Sequence, residues 1–127
     1  MTDTFQTNQP IYLQLVERIK KEIMRDELKP GDKLPSVREL AVQSGVNPNT
    51  VQRTYRELEH EKIAESRRGQ GTFVTEDSTI LTKMRESTKQ IEIERFVIGM
   101  KEMGYREPEI IEGLQTFLQL SKRGDFE

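Results

Sequence analysis

Two short stretches hold the side chains best suited to chemistry. In Asn47-Pro48-Asn49-Thr50-Val51-Gln52-Arg53, the residues Asn49, Thr50, Gln52 and Arg53 carry amide, hydroxyl and guanidinium groups. In Arg67-Arg68-Gly69-Gln70-Gly71, two arginines stand beside two glycines. These groups donate and accept hydrogen bonds and bring positive charge. A guanidinium can fork onto guanine O6 and N7, an amide matches adenine N6 and N7, and a hydroxyl reaches a phosphate oxygen. Glycines let a backbone turn tightly and approach a groove, and arginine suits the negative potential of a narrow minor groove. The expected chemistry is recognition of double-stranded DNA. Each residue also has a plainer reading: Asn49 and Gln52 as solvated helix positions, Thr50 bonded to its own helix, Arg67 and Arg68 as solubilising charges.

Other classes of function find little support. The chain has no cysteine and one histidine, which removes thiol chemistry and argues against a structural zinc site. That histidine, His60, sits between Glu59 and Glu61 with no nucleophile beside it, so an enzyme is not expected. No cofactor is expected either. No basic-apolar leader and no long apolar run is present, which predicts a cytoplasmic protein without a membrane partner. The formal charge of -2 argues at first against a nucleic-acid partner. Residues 1–75, however, hold 12 basic against 11 acidic side chains, and residues 76–127 hold 8 against 11. DNA contact needs local charge, so the balance is neutral evidence.

The elements that must position these residues follow from spacing. Residues 1–9 are polar and aperiodic and are expected to fray. Pro10 suits a first helical turn, and Ile11, Leu15, Ile19, Ile23 and Leu28 continue one apolar stripe to the Lys29-Pro30-Gly31 turn. Ser36 and Glu39 form a capping box before Val37, Leu40 and Ala41, and Gly45 ends that short helix. Asn47 caps a third helix with Pro48 at its first position and Val51, Tyr55 and Leu58 on one face. The β-formers Thr72, Phe73 and Val74, with residues 63–67 before the glycine turn, predict a hairpin. Tyr12, Leu15, Ile19, Leu40, Val51, Tyr55, Leu58 and Phe73 are the expected core.

After Thr75-Glu76-Asp77-Ser78, a long helix carries Ile80, Met84, Ile91 and Ile98, with Phe96, Val97, Met100 and Met103 widening its apolar face. Gly104 ends it. A last helix from Glu107-Pro108 carries Ile110, Ile111, Leu114, Phe117 and Leu118 and ends near Lys122-Arg123-Gly124. Two such helices cannot close a core alone and must pack on the first domain or on another subunit; the long apolar stripes left over favour a homodimer. The methionines Met84, Met100 and Met103 read as a core or dimer seam, with an effector cleft as the alternative.

From Pro10 to Val74 the chain resembles the DNA-binding domain of the GntR family. The resemblance rests on Pro10-Ile11-Tyr12, Leu28-Lys29-Pro30-Gly31, Leu34-Pro35-Ser36-Val37-Arg38-Glu39-Leu40-Ala41 and Val46-Asn47-Pro48-Asn49-Thr50-Val51. Tyr55, Leu58-Glu59 and Arg68-Gly69-Gln70-Gly71-Thr72-Phe73-Val74 complete it. The short helical tail resembles that of the YtrA-like subfamily, in which it is a dimerisation module. The resemblance implies a transcription regulator, Arg38 against the phosphate backbone or groove edge, and the hairpin tip in the minor groove. A surface pairing of Arg38 with a carboxylate stays open. Ser36 serves as cap, and its hydroxyl can also meet a phosphate. The family commonly has Gly where this chain has Lys62, and some branches have Arg at the positions of Pro48 and Gln52.

The expectation is a mainly α fold with a small β-hairpin: a winged helix-turn-helix over residues 10–75 and a two-helix dimerisation tail over 76–124. The expected activity is sequence-specific regulation, most often repression, at a two-fold symmetric operator. A small-molecule effector of unidentified kind would act through the tail. The rival reading is a winged-helix protein-interaction module without specific DNA readout.

Overall fold

The computed structural model describes Phe5 and residues 8–122. Most of residues 1–9, together with Arg123 and Gly124, lie outside the described residues. Five helices and one hairpin follow in order: α1 (Ile11–Met24), α2 (Val37–Ser44), α3 (Pro48–His60), β1 (Ala64–Arg67), β2 (Gly71–Val74), α4 (Ser78–Glu102) and α5 (Glu107–Lys122). They fall into two compact units, one ending at Arg85 and one beginning at Glu86.

In the first unit α1 buries Leu15, Val16, Ile19 and Ile23. Pro10 stands one position earlier than its composition suggests, as the N-cap, with extended backbone (φ −56°, ψ 141°). The helix also stops sooner than the apolar stripe. Asp26 takes a left-handed φ of 63°, and the N–H groups of Glu27 and Leu28 turn back to the carbonyl of Glu22 at 2.9 and 3.1 Å. Those bonds satisfy the one carbonyl that a continuing helix would have bonded to the N–H of Asp26. Leu28 still packs on the core, from the loop.

α2 and α3 form as their caps dictate. Glu39 N–H donates to Ser36 Oγ at 3.1 Å, and Ser36 N–H donates to Glu39 Oε1 at 2.9 Å. Gly45 closes α2 at φ 68°, where a side chain would be strained. Asn47 Oδ1 then accepts from Asn49 N–H at 2.8 Å and starts α3 on Pro48. α3 is the central element, packed against α1, α2 and β1. Its Val51, Thr54, Tyr55 and Leu58 are buried, while Val46 in the turn is half-buried against the same core.

β1 and β2 pair antiparallel with Ala64 opposite Val74 and Arg67 opposite Gly71. Ala64 and Val74 face the core. A third stretch joins them: Lys33 bridges to Phe73, Leu34 N–H donates to Thr72 O at 2.8 Å, and Val74 N–H donates to Asp32 O at 2.8 Å. The loop before α2 thus runs along the free edge of β2. The first turns of α4 belong to this unit as well. Met84 is buried in the same core, with Ile80 and Leu81 packed partly against it. The division at residues 75 and 76 therefore falls inside the first compact unit.

In the second unit, at 100° per residue, Ile91 and Ile98 lie on one side of α4 and Ile93, Phe96 and Met100 on the other, with Met103 in the turn that follows. Gly104 turns the chain at φ 94°, and α5 begins with Arg106 N–H donating to Glu109 Oε1 at 3.0 Å. Ile110 is buried, but Ile111, Leu114, Phe117 and Leu118 are about half exposed (56, 46, 50 and 51%). No described helix is long and apolar enough to cross a membrane.

Candidate nucleic-acid interface

α3 buries one stripe and presents another. Opposite Val51, Thr54, Tyr55 and Leu58 stand Asn49, Gln52, Arg53 and Arg56, all exposed and spaced as neighbours on a helix surface. Thr50 lies at the flank, half-buried. Its carbonyl accepts from the Thr54 hydroxyl at 2.9 Å, and its own side chain takes no part in that bond. Arg56 extends the stripe by one turn and was missed by reading only the helix start. Its signal was its place three residues after Arg53 and seven after Asn49.

The charge pattern along α3 resolves the neutral composition. Pro48 to Arg56 contains two arginines and no carboxylate, whereas Glu57, Glu59 and Glu61 cluster at the other end. The positive end of the helix dipole coincides with the basic half. An anion thus meets favourable potential at the N-terminal turns, even though the unit as a whole is nearly neutral.

Arg53 does not extend freely. Its guanidinium carbon sits 4.0 Å from the centroid of the Tyr12 ring in α1. Tyr12 and Phe73, both expected in the core, are half-buried, and each lies beneath an arginine. Arg67 covers Phe73 at 4.1 Å and pairs with Glu65 at 3.0 Å.

α2 contributes Arg38, which is exposed and has no ion-pair partner among the described residues. Glu39, its neighbour, spends its carboxylate on the capping box. The backbone and side-chain hydrogen bonds of Ser36 hold that carboxyl below its ordinary value. Ser36 Oγ accepts one bond there and keeps its proton to donate elsewhere. Two anchors fix α2 on the unit: Tyr55 Oη donates to Pro35 O at 2.5 Å, and Arg18 donates to Ser44 Oγ at 3.1 Å. Burial pushes the Tyr55 phenol well above its usual range, so it stays a donor.

At the hairpin tip, Gln70 N–H donates to Arg67 O at 2.9 Å and closes a tight turn. Gly69 has φ 75° and open space around it, and Gly71 has φ 121°. Arg68 is exposed at this tip. Arg38, Ser36, the α3 stripe and the tip all belong to the first unit. Met84 lies in that unit's core, whereas Met100 and Met103 belong to the second.

A short capped helix, a left-handed glycine turn, a second helix with an outward polar stripe and a glycine-tipped hairpin together define a winged helix-turn-helix DNA-binding domain. Residues 11–74 match the family described as "Bacterial regulatory proteins, gntR family". The chain belongs to the GntR family of transcription regulators. It is 49% identical to the uncharacterized HTH-type transcriptional regulator YhcF of Bacillus subtilis, over 94% of this chain and 98% of that protein. It is 42% identical to the HTH-type transcriptional repressor YtrA of B. subtilis, over 72% of this chain and 75% of that one. Among solved structures, a GntR family regulator from Listeria monocytogenes superposes with a TM-score of 0.83 at 38% identity, covering 88% of this chain and 98% of that one. The DNA-binding domain of AraR in complex with operator ORX1 matches with a TM-score of 0.52 at 29% identity, covering 59% of this chain and 92% of that one.

Proposed function

We propose that this regulator is a repressor that binds a two-fold symmetric operator as a homodimer. The observation that carries this reading is the stripe of Asn49, Gln52, Arg53 and Arg56, exposed on a helix whose other side is fully packed. In the major groove, Arg53 would fork onto guanine, and Asn49 or Gln52 would pair with adenine. Arg38, Ser36 and Thr50 would bind phosphates and fix the register. Arg68, with Gly69 and Gly71, would bring the wing to the minor groove, and Arg67 would support it from the Phe73 face. The operator complex of AraR and the repressor YtrA support DNA binding and repression by similarity.

The homodimer rests on the second unit. Ile91, Ile93, Phe96 and Ile98 of α4 and Ile111, Leu114, Phe117 and Leu118 of α5 are each 44–57% exposed. That much apolar surface on one small unit supports a contact with another chain. A second copy offers the same faces, and α4 leads from them directly into the winged unit. An effector would act by changing how the two winged units are held. The protein works in the cytoplasm, where its operator is.

Selection of bound duplexes from a random pool, followed by footprinting, tests the reading. The expected result is an inverted repeat with half-sites about 34–36 Å apart or a multiple of that. Recovery of single, unpaired sites, or of no sequence preference, overturns it.

A further inference from the structure

The loop before α2 forms a third rung of the wing. Lys33 bridges to Phe73, so its side chain emerges on the same face of the sheet as Phe73. Arg67 and Gly71, which pair with each other, and Glu65, which pairs with Phe73, share that face. The aliphatic end of Lys33 crosses the α-carbon of Gly71: a Cβ built there would come within 2.8 Å of Lys33 Cε and 3.7 Å of its Nζ. Gly71 is therefore the seat of the lysine stem as well as a turn residue. Lys33 crosses Gly71 from one edge of β2, and Arg67 covers Phe73 from the other. Glu65 pairs with Arg67, whereas Lys33 is exposed and makes no ion pair among the described residues, its charge reaching the Glu39 carboxylate of the capping box only through space.

From this juxtaposition we infer that Lys33 is a further DNA-binding residue: its ammonium, seated over Gly71 beside Arg67, holds a backbone phosphate next to the groove that receives the wing. The inference rests on the proposed DNA-binding reading and deepens it at the wing. The contact is electrostatic and independent of base sequence, so it adds affinity and anchors the wing without choosing the operator.

The test measures affinity of the full chain for its selected duplex, and for a scrambled duplex, across a series of salt concentrations. For Lys33→Met the slope of log affinity against log salt is expected to become shallower by about 0.9, the value for one phosphate contact. Affinity for both duplexes should fall by the same factor. Lys33→Arg restores slope and affinity. Thermal melting of each variant checks that the fold is retained. A wild-type slope in Lys33→Met overturns the assignment, as does a change confined to the selected duplex. Equal binding of both duplexes by the wild-type protein overturns the specific-recognition reading instead.

Discussion

Arg53 and Tyr12 come from different helices, and the guanidinium of the first lies 4.0 Å from the ring centroid of the second. A flexible side chain at the centre of the outward stripe is thereby held before any ligand arrives. The Tyr12 backbone lies at the same corner, its carbonyl sharing at 3.3 Å the Thr54 hydroxyl proton that Thr50 O accepts at 2.9 Å. Holding a rotamer-rich side chain in advance lowers the ordering cost of binding. A half-exposed cation–π contact contributes about 0.5–1 kcal/mol. Tyr12→Leu is expected to weaken operator binding by about that much, with Tyr12→Phe close to wild type. Fluorescence anisotropy on a labelled operator reads the difference. Equal affinity for the Leu and Phe variants would remove the ring from the recognition mechanism.

Arg53, Arg38 and Arg56 should separate by the kind of loss they cause. Arg53→Ala is expected to cost about 1–3 kcal/mol on the selected operator and to relax preference at one base pair per half-site. Arg38→Ala and Arg56→Ala are expected to weaken selected and scrambled duplexes alike and to flatten the salt dependence. A binding matrix for each variant makes the comparison. Loss of the same base preference in all three would show that the division between base and phosphate contacts is wrong.

Lys62 sits at φ 66°, in the region where a side chain clashes with the following carbonyl. A glycine at this position would avoid that cost. Lys62→Gly is expected to stabilise the first unit by about 1 kcal/mol, read as a higher urea midpoint at unchanged slope. No gain would mean that lysine contacts offset the strain.

The capping box gives the fold a directed response to acid. Ser36 holds the Glu39 carboxyl below its ordinary value of 4.5, so the folded protein binds this proton less readily than the unfolded chain. Its stabilising effect is complete above the unfolded value and is lost as pH falls through the lower folded value. Glu39→Gln is expected to be less stable than wild type at neutral pH, with the gap closing below about pH 4. Urea titrations over that range measure it. A gap that does not change with pH would mean the carboxylate is indifferent to the cap.

The tail should govern assembly before it governs recognition. Phe96→Glu combined with Leu114→Glu places charge on faces that are 44 and 46% exposed in one chain, so folding of the winged unit is expected to survive. Sedimentation should show a monomer, and operator affinity should fall at least tenfold, through lost avidity. Unchanged operator affinity in a proven monomer would sink the dimeric mechanism.

Local rules made much of this protein legible. Ser36 with Glu39, Gly45, and Asn47 with Pro48 each act within a few residues, so their caps and turns could be read directly from residue type. The spacing of Val51, Tyr55 and Leu58 revealed which side of α3 is packed, and with it the face that holds Asn49, Gln52 and Arg53. The glycines of the wing marked its turn for the same reason.

Contacts between distant segments were decided only in three dimensions. Tyr12 and Phe73 are aromatic and sit at apolar positions, and nothing in their spacing shows that Arg53 and Arg67 cover them. Lys33 belongs to a loop by composition, and only the pairing of residues 31–34 with β2 carries it to Gly71. α1 ends at Met24 because the backbone turns at Asp26, although the stripe continues to Leu28. Ile80 and Met84 share a helix with Ile98, yet Met84 is buried and Ile80 half-buried in the first unit, because the winged core still had apolar surface to cover. Side-chain period records which residues seek burial; which partner buries them depends on packing that a one-dimensional pattern does not contain.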